Sequence, residues 1–415
     1  MKNINQFLAA AAVAALFVTG CTLPSQDWPQ WRGANRDGKS SAFAAPDTWP
    51  TNLTQQWKIQ VGKGDASPAL VGANLYVFAR QETNEVLFCL DAATGKAKWQ
   101  SAYPANYVVT GPPSRHPGPR SSPVVAGGKV CTLGVGGILS CFNAATGAVL
   151  WRKQSTNDYL GIPYQTDTSM SPIVADGLCV AQVGKATNGA VIAFDLGSGK
   201  PKWKWAGDGP ANSSPMTMTV AGKKQLVIVT AKFLVGLDPA DGKLLWQVPF
   251  ATNLMGNNLT PIIAGDTVIF AGPAKGMSAV KIEAQGGAWA ATPLWSATNL
   301  ATHFTTPVLK DGLLYSFSER LFCADAQNGA ILWDKAVNLG QYASLVDAGK
   351  VMLALGTKGE LLVFEPGKTY TPLARYTVGD SDTWTHPVVA GNRIYIKDSQ
   401  TVGLWIVNQR PAGGG

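Results

Sequence analysis

The three histidines of the chain are its clearest candidates for acid–base or metal chemistry: His116, His303 and His386. Each lies in a connection between repeated sequence elements, so all three are expected on one face of the fold. Gathered together, they would form a metal site, since neutral imidazole is a common metal ligand. They come from well-separated connections, however, and polar residues collect in loops for general reasons. We therefore interpret them as loop residues and predict no metal site.

Motifs for nucleophilic or metal-assisted catalysis are missing from the sequence. It contains no G-x-S-x-G elbow, no H-E-x-x-H pair and no C-x-x-C spacing. The acidic residues lie mainly in repeated turns, where a structural role accounts for them. A hard cation needs several converging oxygens, and no such cluster can be named. We predict no catalytic residue and favour a binding scaffold over an enzyme.

One cysteine lies in a targeting segment at the start of the chain. The apolar run from Phe7 to Val18 is too short to span a bilayer, and it leads into Thr19-Gly20-Cys21. This end resembles the lipobox of bacterial lipoproteins, in which the signal is cut before an acylated cysteine. The alternative is an ordinary signal peptide followed by a chance cysteine. We expect a signal peptide over 1–20, lipidation of Cys21, and export to the periplasmic face of the outer membrane.

Five cysteines remain after Cys21, and an odd number leaves at least one free thiol. Cys131 and Cys141 flank a glycine-rich stretch and could face each other across a hairpin. A disulfide there is one alternative, although its geometry is demanding. We favour the other, in which all five are small buried residues.

Composition narrows the fold class. Charged residues make up 14% of the 415 residues, and there are 45 glycines. Both values argue against a helical protein, because Glu and Lys normally cover helix surfaces. The net charge of +8 is not concentrated in any block of Lys or Arg. We therefore expect no nucleic-acid partner.

An internal repeat begins with Ser or Thr before a proline, followed by three mostly apolar residues and a Gly or Asp turn. Two copies lack part of the pattern, since His386 replaces the hydroxyl residue in one and Leu345 replaces the proline in the other. We call the eight proline or equivalent residues the Pro-type positions: Pro68, Pro123, Pro172, Pro215, Pro261, Pro307, Leu345 and Pro387.

A second pattern follows seven of the eight Pro-type positions. An Asp or Asn lies four residues before a Gly and eight before a Trp in the five clearest copies. Its turn residues include Asp91, Asp195, Asp238 and Asp325, whose side chains can start a tight turn while Gly supplies positive φ. The aromatic residue then lies on a short strand. The eight aromatic residues are Trp57, Trp99, Trp151, Trp203, Trp246, Trp295, Trp333 and Tyr376.

The two patterns together predict an all-β, eight-bladed propeller of four-stranded antiparallel blades. Trp57 precedes the first Pro-type position, so an N-terminal strand should complete the last blade. This closure removes an exposed sheet edge. We place the propeller at 51–408, an N-terminal tether at 21–50, and a flexible tail at 409–415.

The D-x-x-T-G-x-x-x-W element, as at 91–99, resembles the repeat of the pyrroloquinoline-quinone-repeat propeller family. This family contains quinoprotein dehydrogenases and short, non-catalytic outer-membrane-assembly lipoproteins of the BamB type. The resemblance to the dehydrogenases implies adjacent cysteines and a calcium site, which this sequence lacks. The size and features are closer to the assembly lipoproteins. The resemblance therefore implies a scaffold that binds an envelope protein, with no quinone cofactor.

Two connections between blades are longer than the others and supply the candidate partner-binding residues. Trp99 to Pro123 spans 24 residues and Trp151 to Pro172 spans 21. Tyr and Arg dominate interface hot spots, and prolines stiffen the first loop. The alternative is that these loops fold back and plug the channel. The candidate residues are Tyr103, Tyr107, Arg115, His116, Arg120, Arg152, Tyr159 and Tyr164.

Two further hypotheses stay open beside the scaffold. One is a quinone-binding redox protein. The other is a propeller that binds a glycan in its channel, because several tryptophans are not explained by the repeat. We expect a protein that is monomeric by itself. The surplus tryptophans are Trp28, Trp31, Trp205, Trp289, Trp384 and Trp405.

Overall fold

The structure is a computed structural model that describes residues 26–40, 42–107, 112–162, 169–252 and 256–408. Its strands form eight separate four-stranded antiparallel sheets arranged as the blades of a propeller. The predicted fold class is therefore confirmed. The signal segment, Cys21, Tyr164 and the tail from 409 onward lie outside the described residues.

Each blade runs from an inner strand to an outer strand, and we number blades by their Pro-type positions. Blades 1 to 4 take strands β2 to β17, after a first strand β1 (Thr54–Gln60). Their bounds are β2 Ala69–Val71, β3 Asn74–Gln81, β4 Asn84–Asp91, β5 Ala97–Pro104, β6 Val124–Ala126, β7 Lys129–Leu133, β8 Leu139–Asn143, β9 Val149–Lys153, β10 Ile173–Ala175, β11 Leu178–Lys185, β12 Asn188–Asp195, β13 Pro201–Trp205, β14 Met216–Val220, β15 Lys223–Val229, β16 Phe233–Leu237 and β17 Leu244–Pro249.

Blades 5 to 8 take the remaining strands, and short 3-10 turns lie at Pro112–Arg115 and Thr298–Leu300. No helix in the described ranges is long and apolar enough to cross a membrane. The strands are β18 Ile262–Ala264, β19 Thr267–Gly272, β20 Gly276–Gln285, β21 Ala288–Ala297, β22 Val308–Lys310, β23 Leu313–Ser318, β24 Arg320–Asp325, β25 Ile331–Lys335, β26 Ala343–Asp347, β27 Met352–Gly356, β28 Glu360–Glu365, β29 Thr371–Thr377, β30 Val388–Ala390, β31 Arg393–Lys397 and β32 Thr401–Ile406.

The N-terminal strand closes the ring as predicted. Strand β1 pairs antiparallel with β32, and Trp57 lies opposite Leu404. Blade 8 therefore combines the first strand of the chain with its last three. The two ends of the propeller are tied together by backbone hydrogen bonds, which leaves no open seam between the first blade and the last.

The repeated aromatic residues lie on the eight outer strands, where most of them fasten one blade to the next. The Trp99 indole packs on Gly147 of blade 2, where an added Cβ would lie 2.5 Å from the ring. Its Nε1 donates a hydrogen bond to the carbonyl of Ala144, at 3.2 Å. Trp57, Trp151, Trp203 and Trp295 pack on the glycine of the following repeat in the same way. The spacing of Asp, Gly and Trp is thus the sequence signature of a contact between blades.

The hydroxyl residues before the prolines form a second, inner set of contacts between blades. The backbone N–H of Ser67 donates to the Ser122 hydroxyl at 3.0 Å, and Ser122 donates in turn to Ser171 at 2.9 Å. Ser171 donates to Ser214, and His386 donates to Ser67 across the closure of the ring. Buried backbone donors need partners, so the hydroxyls hold the inner ends of neighbouring blades at a fixed spacing.

The segment before the first strand, which we expect to be a tether, packs against the propeller. Over 26–40 and 42–50 it contains no strand, but its backbone makes bridges to blades 1, 7 and 8. Trp28 exchanges two hydrogen bonds with Leu70, and Ser40 donates to the Asp347 carbonyl at 2.8 Å. Trp28 is 1% exposed. The described part of this segment is therefore part of the folded body.

The cysteines of the described part of the chain are buried, free thiols. Cys131 and Cys141 lie directly opposite each other on β7 and β8, as expected if the two strands form a hairpin. Cys179 belongs to the same apolar cluster between blades 2 and 3. The structure therefore favours the interpretation in which these residues fill the core.

Candidate functional site

A cavity of about 610 Å³ lies on the axis of the propeller, because its lining comes from all eight blades. We call it the funnel. One residue from each blade contributes, and each lies three positions before a Pro-type position. We call these eight residues the funnel ring: Asp65, Arg120, Ser169, Asn212, Asn258, Phe304, Tyr342 and Trp384.

Blades 3 to 5 give the funnel a hydroxyl and amide wall. The Ser169 hydroxyl donates to Asn212 Oδ1 at 2.9 Å, and Asn212 Nδ2 donates to Asn258 Oδ1 at 3.1 Å. Asn258 Nδ2 contacts the His303 carbonyl at 3.5 Å. Each amide carries two N–H donors, and these contacts use one of each. This wall therefore retains donors for hydrogen bonds to a molecule in the cavity.

Blades 6 to 8 give the funnel an aromatic wall. The rings of Tyr342 and Trp384 are stacked, with centroids 5.5 Å apart and planes inclined by 7°. Phe304 meets Trp384 edge to face at 5.7 Å. Trp31 from the N-terminal segment adds a further ring and donates its Nε1 hydrogen bond to Thr260 at 3.2 Å. The three blades thus present a continuous apolar surface of aromatic side chains.

Blades 1 and 2 give the funnel its charged side. His116 Nδ1 lies 2.8 Å from Asp65 Oδ2, and this hydrogen bond raises the pKa of His116 above its usual value. Arg120 donates to the His116 carbonyl at 3.1 Å, and the exposed Arg115 also lines the cavity. Buried Lys397 contacts the Gly64 carbonyl, and burial lowers its pKa to about 8. Among the residues that line the cavity, Arg115, His116 and Arg120 face one carboxylate, Asp65, while Asp382 also acts on His116 from outside the lining.

The opposite end of the channel is closed by the N-terminal segment. Arg36 donates to the carbonyls of Ser171 and Pro172 at 2.9 and 3.0 Å, and Arg32 donates to the Pro307 carbonyl at 2.6 Å. Both side chains are 2% exposed. Burial lowers the pKa of Arg32 to about 10 and that of Arg36 to about 9. Two arginines thus seal this end by satisfying backbone carbonyls of the inner strands.

His386 connects the sealed end to the ring of hydroxyl contacts. Its ring lies 5.6 Å from Trp28 and 5.7 Å from Trp31, and it is 2% exposed. Burial lowers its pKa to about 3, with a further contribution from the positive charge of Arg32. The imidazole is therefore neutral at physiological pH. The ring packs against the N-terminal segment, and its Nε2 lies 2.9 Å from the Leu345 carbonyl oxygen.

The three histidines lie in three different surroundings. His116 faces the funnel, His303 is exposed, and His386 is buried against the N-terminal segment. Within the described ranges, no three His, Cys, Asp or Glu side chains stand close enough to share a metal ion.

Two of the candidate partner-binding tyrosines form a buried network around a carboxyl group. Glu85 is fully buried and accepts hydrogen bonds from Tyr103 at 2.6 Å and Tyr107 at 3.2 Å. Burial raises the pKa of Glu85. The Arg80 guanidinium lies over the Tyr107 ring, and that of Arg152 lies over the Tyr103 ring, 4.2 and 4.0 Å from the centroids. Tyr103 is 2% exposed, so the structure places it in the core and not on a partner-binding surface.

Tyr159 is buried as well, although it was expected on the same surface. It is 1% exposed, and its hydroxyl contacts the carbonyls of Gly137 and Lys153. The next residue, Leu160, adopts positive φ and is 40% exposed. The residue after this buried tyrosine therefore exposes an apolar side chain to solvent. Sequence reasoning missed Leu160, because it gave weight to the aromatic residue.

Arg115, His116 and Arg120 are the candidate residues that the structure brings together at the funnel. Arg152 and Tyr107 are half-buried supports behind them. Sequence reasoning missed the amide and aromatic members of the funnel ring. Their signal was present, since all eight ring residues hold the same position in the repeat.

The funnel does not offer the donor set that quinone-dependent propellers use. Asp65 is the one carboxylate among the described lining residues, and it is bonded to His116. The side chains of Asn212 and Asn258 are bonded to each other. Calcium needs six or more converging oxygens, most of them from carboxylates and carbonyls. These residues do not fit a calcium-bound quinone.

Comparison with known proteins agrees with this architecture. The family model described as outer membrane protein assembly factor BamB matches residues 109–335. The outer membrane protein assembly factor BamB of Shewanella oneidensis is 24% identical over 365 residues, covering 82% of this chain and 85% of that protein. The tetrathionate hydrolase of Acidithiobacillus ferrooxidans is 24% identical over 252 residues, covering 56% of this chain and 46% of that protein.

Solved structures with the same fold include an alcohol dehydrogenase and a BamB protein. Quinohemoprotein alcohol dehydrogenase from Comamonas testosteroni superposes with a TM-score of 0.69 at 15% identity, covering 94% of this chain and 82% of that one. BamB from Moraxella catarrhalis gives 0.63 at 15% identity, covering 85% and 99%. Since the family model covers more than half of the chain, this protein belongs to the family described as outer membrane protein assembly factor BamB.

Proposed function

We propose that this protein is a non-catalytic scaffold that binds a partner protein in the cell envelope, in the assembly of outer-membrane β-barrel proteins. Membership of the BamB family supports this proposal, as does the likeness to the Shewanella protein over most of the chain. On this proposal, a lipid on Cys21 holds the propeller at the periplasmic face of the outer membrane.

The observation that carries the proposal is the construction of the two longest connections between blades. Each has a hydrogen-bonded tyrosine and an exposed side chain, namely half-buried Tyr107 with Arg115 and buried Tyr159 with Leu160. Anchoring lowers the entropy that a loop loses when it binds a partner. Exposed arginine and leucine side chains supply charge and apolar area to the contact. The described parts of both connections therefore pair an anchored tyrosine with an exposed side chain available for contact.

A quinone-dependent redox enzyme is the competing function, because the fold is shared with a quinohemoprotein dehydrogenase. We propose that this chain has no resident quinone, since the funnel lacks converging carboxylates. The purified protein mixed with pyrroloquinoline quinone and calcium should show no change in the quinone absorbance spectrum. A saturable spectral change would favour the redox function.

The scaffold is tested by affinity purification from detergent-solubilised envelopes. Native protein should retain a β-barrel assembly component, and a variant with Leu160→Asp should lose it. The matched control is Leu294→Asp, because Leu294 is 51% exposed on the outer strand of blade 5. This control should bind as the native protein does. Equal recovery with all three proteins would place the contact elsewhere, and no such component with any of them would contradict the proposed function.

A further inference from the structure

The funnel ring is divided into three chemical sectors of a kind that partner binding by the loop tips does not explain. Blades 3 to 5 contribute hydroxyl and amide groups, blades 6 to 8 contribute aromatic rings, and blades 1 and 2 contribute charged groups. Each chemical type therefore occupies consecutive blades around the propeller. Residues that only fill space would not need to be sorted by chemical type around the cavity. A ligand with one apolar face, several hydroxyl groups and a negative charge would match the three sectors.

The size and closure of the cavity limit the ligand to a small molecule or a chain end. About 610 Å³ falls within the usual range of roughly 300 to 1,000 Å³ for small-molecule sites. The other end of the channel is closed by Arg32, Arg36 and Trp28, all at most 2% exposed. A polymer cannot thread through the ring, so only a terminal unit could enter.

The aromatic sector favours a ligand with C–H groups on one face. Tyr342 and Trp384 already stack on each other, and Phe304 already meets Trp384 edge to face. Three adjacent blades supply these rings, so they form a wall on one side and do not enclose a flat ligand from both sides. The negative face of an aromatic ring attracts the weakly positive C–H groups of a sugar ring.

The polar sector favours a ligand with many hydroxyl groups. Asn212 and Asn258 each use one amide N–H in these hydrogen bonds and keep the other, and Ser169 neighbours them. Ser171, Ser214, Thr260 and Thr306 also line the cavity. Amides and hydroxyls both donate and accept, which suits sugar hydroxyls that do the same.

The charged sector favours an acid over a neutral ligand. Arg115 and Arg120 are positively charged at any physiological pH. The hydrogen bond to Asp65 favours the protonated form of His116. Asp65 faces His116, so its negative charge is partly neutralised by that pair. Arginine binds carboxylates well because its planar donors match the two oxygens.

From this arrangement we propose that the funnel binds an acidic saccharide, with the sugar face on the wall of Phe304, Tyr342 and Trp384 and the carboxylate towards Arg115 and Arg120. This site goes beyond the proposed scaffold function and shares only Arg115 with the residues assigned to partner contact. The amide wall of Asn212 and Asn258 would receive the hydroxyl groups. No chemical step on the sugar is implied.

Titration calorimetry with digalacturonic acid as the probe tests this site on the full-length protein. Binding should be measurable, and Trp384→Ala or Asn258→Ala should each weaken it by about tenfold or more. Arg115→Ala should reduce the preference for digalacturonic acid over the neutral disaccharide cellobiose. The matched controls are Trp289→Ala and Arg320→Ala on strands β21 and β24, which should bind like the native protein.

Circular dichroism identifies any variant that fails to fold, and in that case the milder Trp384→Phe replaces Trp384→Ala. The inference is overturned if native protein binds neither disaccharide at millimolar concentration, or if cellobiose binds as well as digalacturonic acid. It is also overturned if pyrroloquinoline quinone binds and is lost in the same variants. Recovery of a partner in affinity purification is scored independently, so either proposal can fail without the other.

Discussion

The two ends of the central channel differ in how their polar groups find partners. At the sealed end, the guanidinium groups of Arg32 and Arg36 are buried and bonded to carbonyls of Pro307, Ser171 and Pro172. At the funnel end, side chains of the ring face a cavity, and the amides keep unused donors. The sealed end is therefore a structural closure, while the funnel end has the capacity to bind a ligand.

The difference arises within a few residues of the same repeat. The residue directly before each Pro-type position joins one blade to the next. The Ser122 hydroxyl, for example, accepts a hydrogen bond from the backbone N–H of Ser67. The residue two places earlier faces the funnel and varies from Asp65 to Asn258 to Trp384. A repeat can therefore keep its framework position constant while its funnel position carries different chemistry in each blade.

Replacing a sealing arginine should produce the largest effect. Arg36→Ala leaves the carbonyls of Ser171 and Pro172 without their donors, at a cost of about 2 to 4 kcal/mol in the free energy of unfolding. Arg115→Ala, at the exposed funnel rim, should cost less than about 0.5 kcal/mol. Urea denaturation followed by tryptophan fluorescence measures both. If both variants lose the same free energy of unfolding, the distinction between a structural end and a binding end is wrong.

Acid should weaken the sealed end through His386. Its pKa is about 3 in the folded protein because of burial, against about 6.5 when unfolded. Between these values the unfolded chain binds a proton that the folded protein does not, so stability falls as pH drops below 6.5. The slope reaches at most about 1.4 kcal/mol per pH unit. His386→Ser, which restores the hydroxyl residue of other blades, should flatten the curve between pH 6.5 and 5.

The contradicting result is a His386→Ser variant whose stability falls with acid as steeply as that of the native protein. That outcome would mean that the imidazole is accessible to protons in the folded state. The sealed end would then be open to solvent, contrary to the burial of Trp28, Arg32 and His386.

His116 at the funnel end should respond to pH in the opposite direction, with the smallest effect. Its hydrogen bond with Asp65 raises its folded pKa above 6.5. The stabilising contribution is therefore complete below pH 6.5 and is lost as pH rises through the folded pKa. Because the pair is partly exposed, we expect less than about 1 kcal/mol. Comparing native protein with His116→Ser from pH 6 to 9 measures this loss, and a difference that grows with pH would contradict it.

The blade count and closure could be predicted from the sequence because the repeat encodes contacts directly. Asp91 accepts backbone hydrogen bonds from Ala93 and Thr94, and Trp99 packs on Gly147. Turns and strand spacing depend on residues that are close in the sequence, so they can be predicted from the sequence. Trp57 was placed in the last blade for the same reason, and its strand pairs with β32.

The N-terminal seal could not be predicted, because it depends on distant carbonyls. Arg32 finds its partner at Pro307 and Arg36 at Pro172, far along the chain. Nothing local marks these arginines as buried, since arginine is normally exposed. The burial of Tyr103 was missed for a related reason, because its partner Glu85 lies on another strand, β4, and only folding brings the two together.

The scaffold proposal is tested most directly by photo-crosslinking in intact envelopes. A photoreactive amino acid is placed at position 160, an exposed position in the second long connection, and at position 294 as the exposed control. The account predicts a crosslink from position 160 to a β-barrel assembly protein and none from position 294. Equal crosslinking at both positions, or no crosslink to such a protein from position 160, would contradict it.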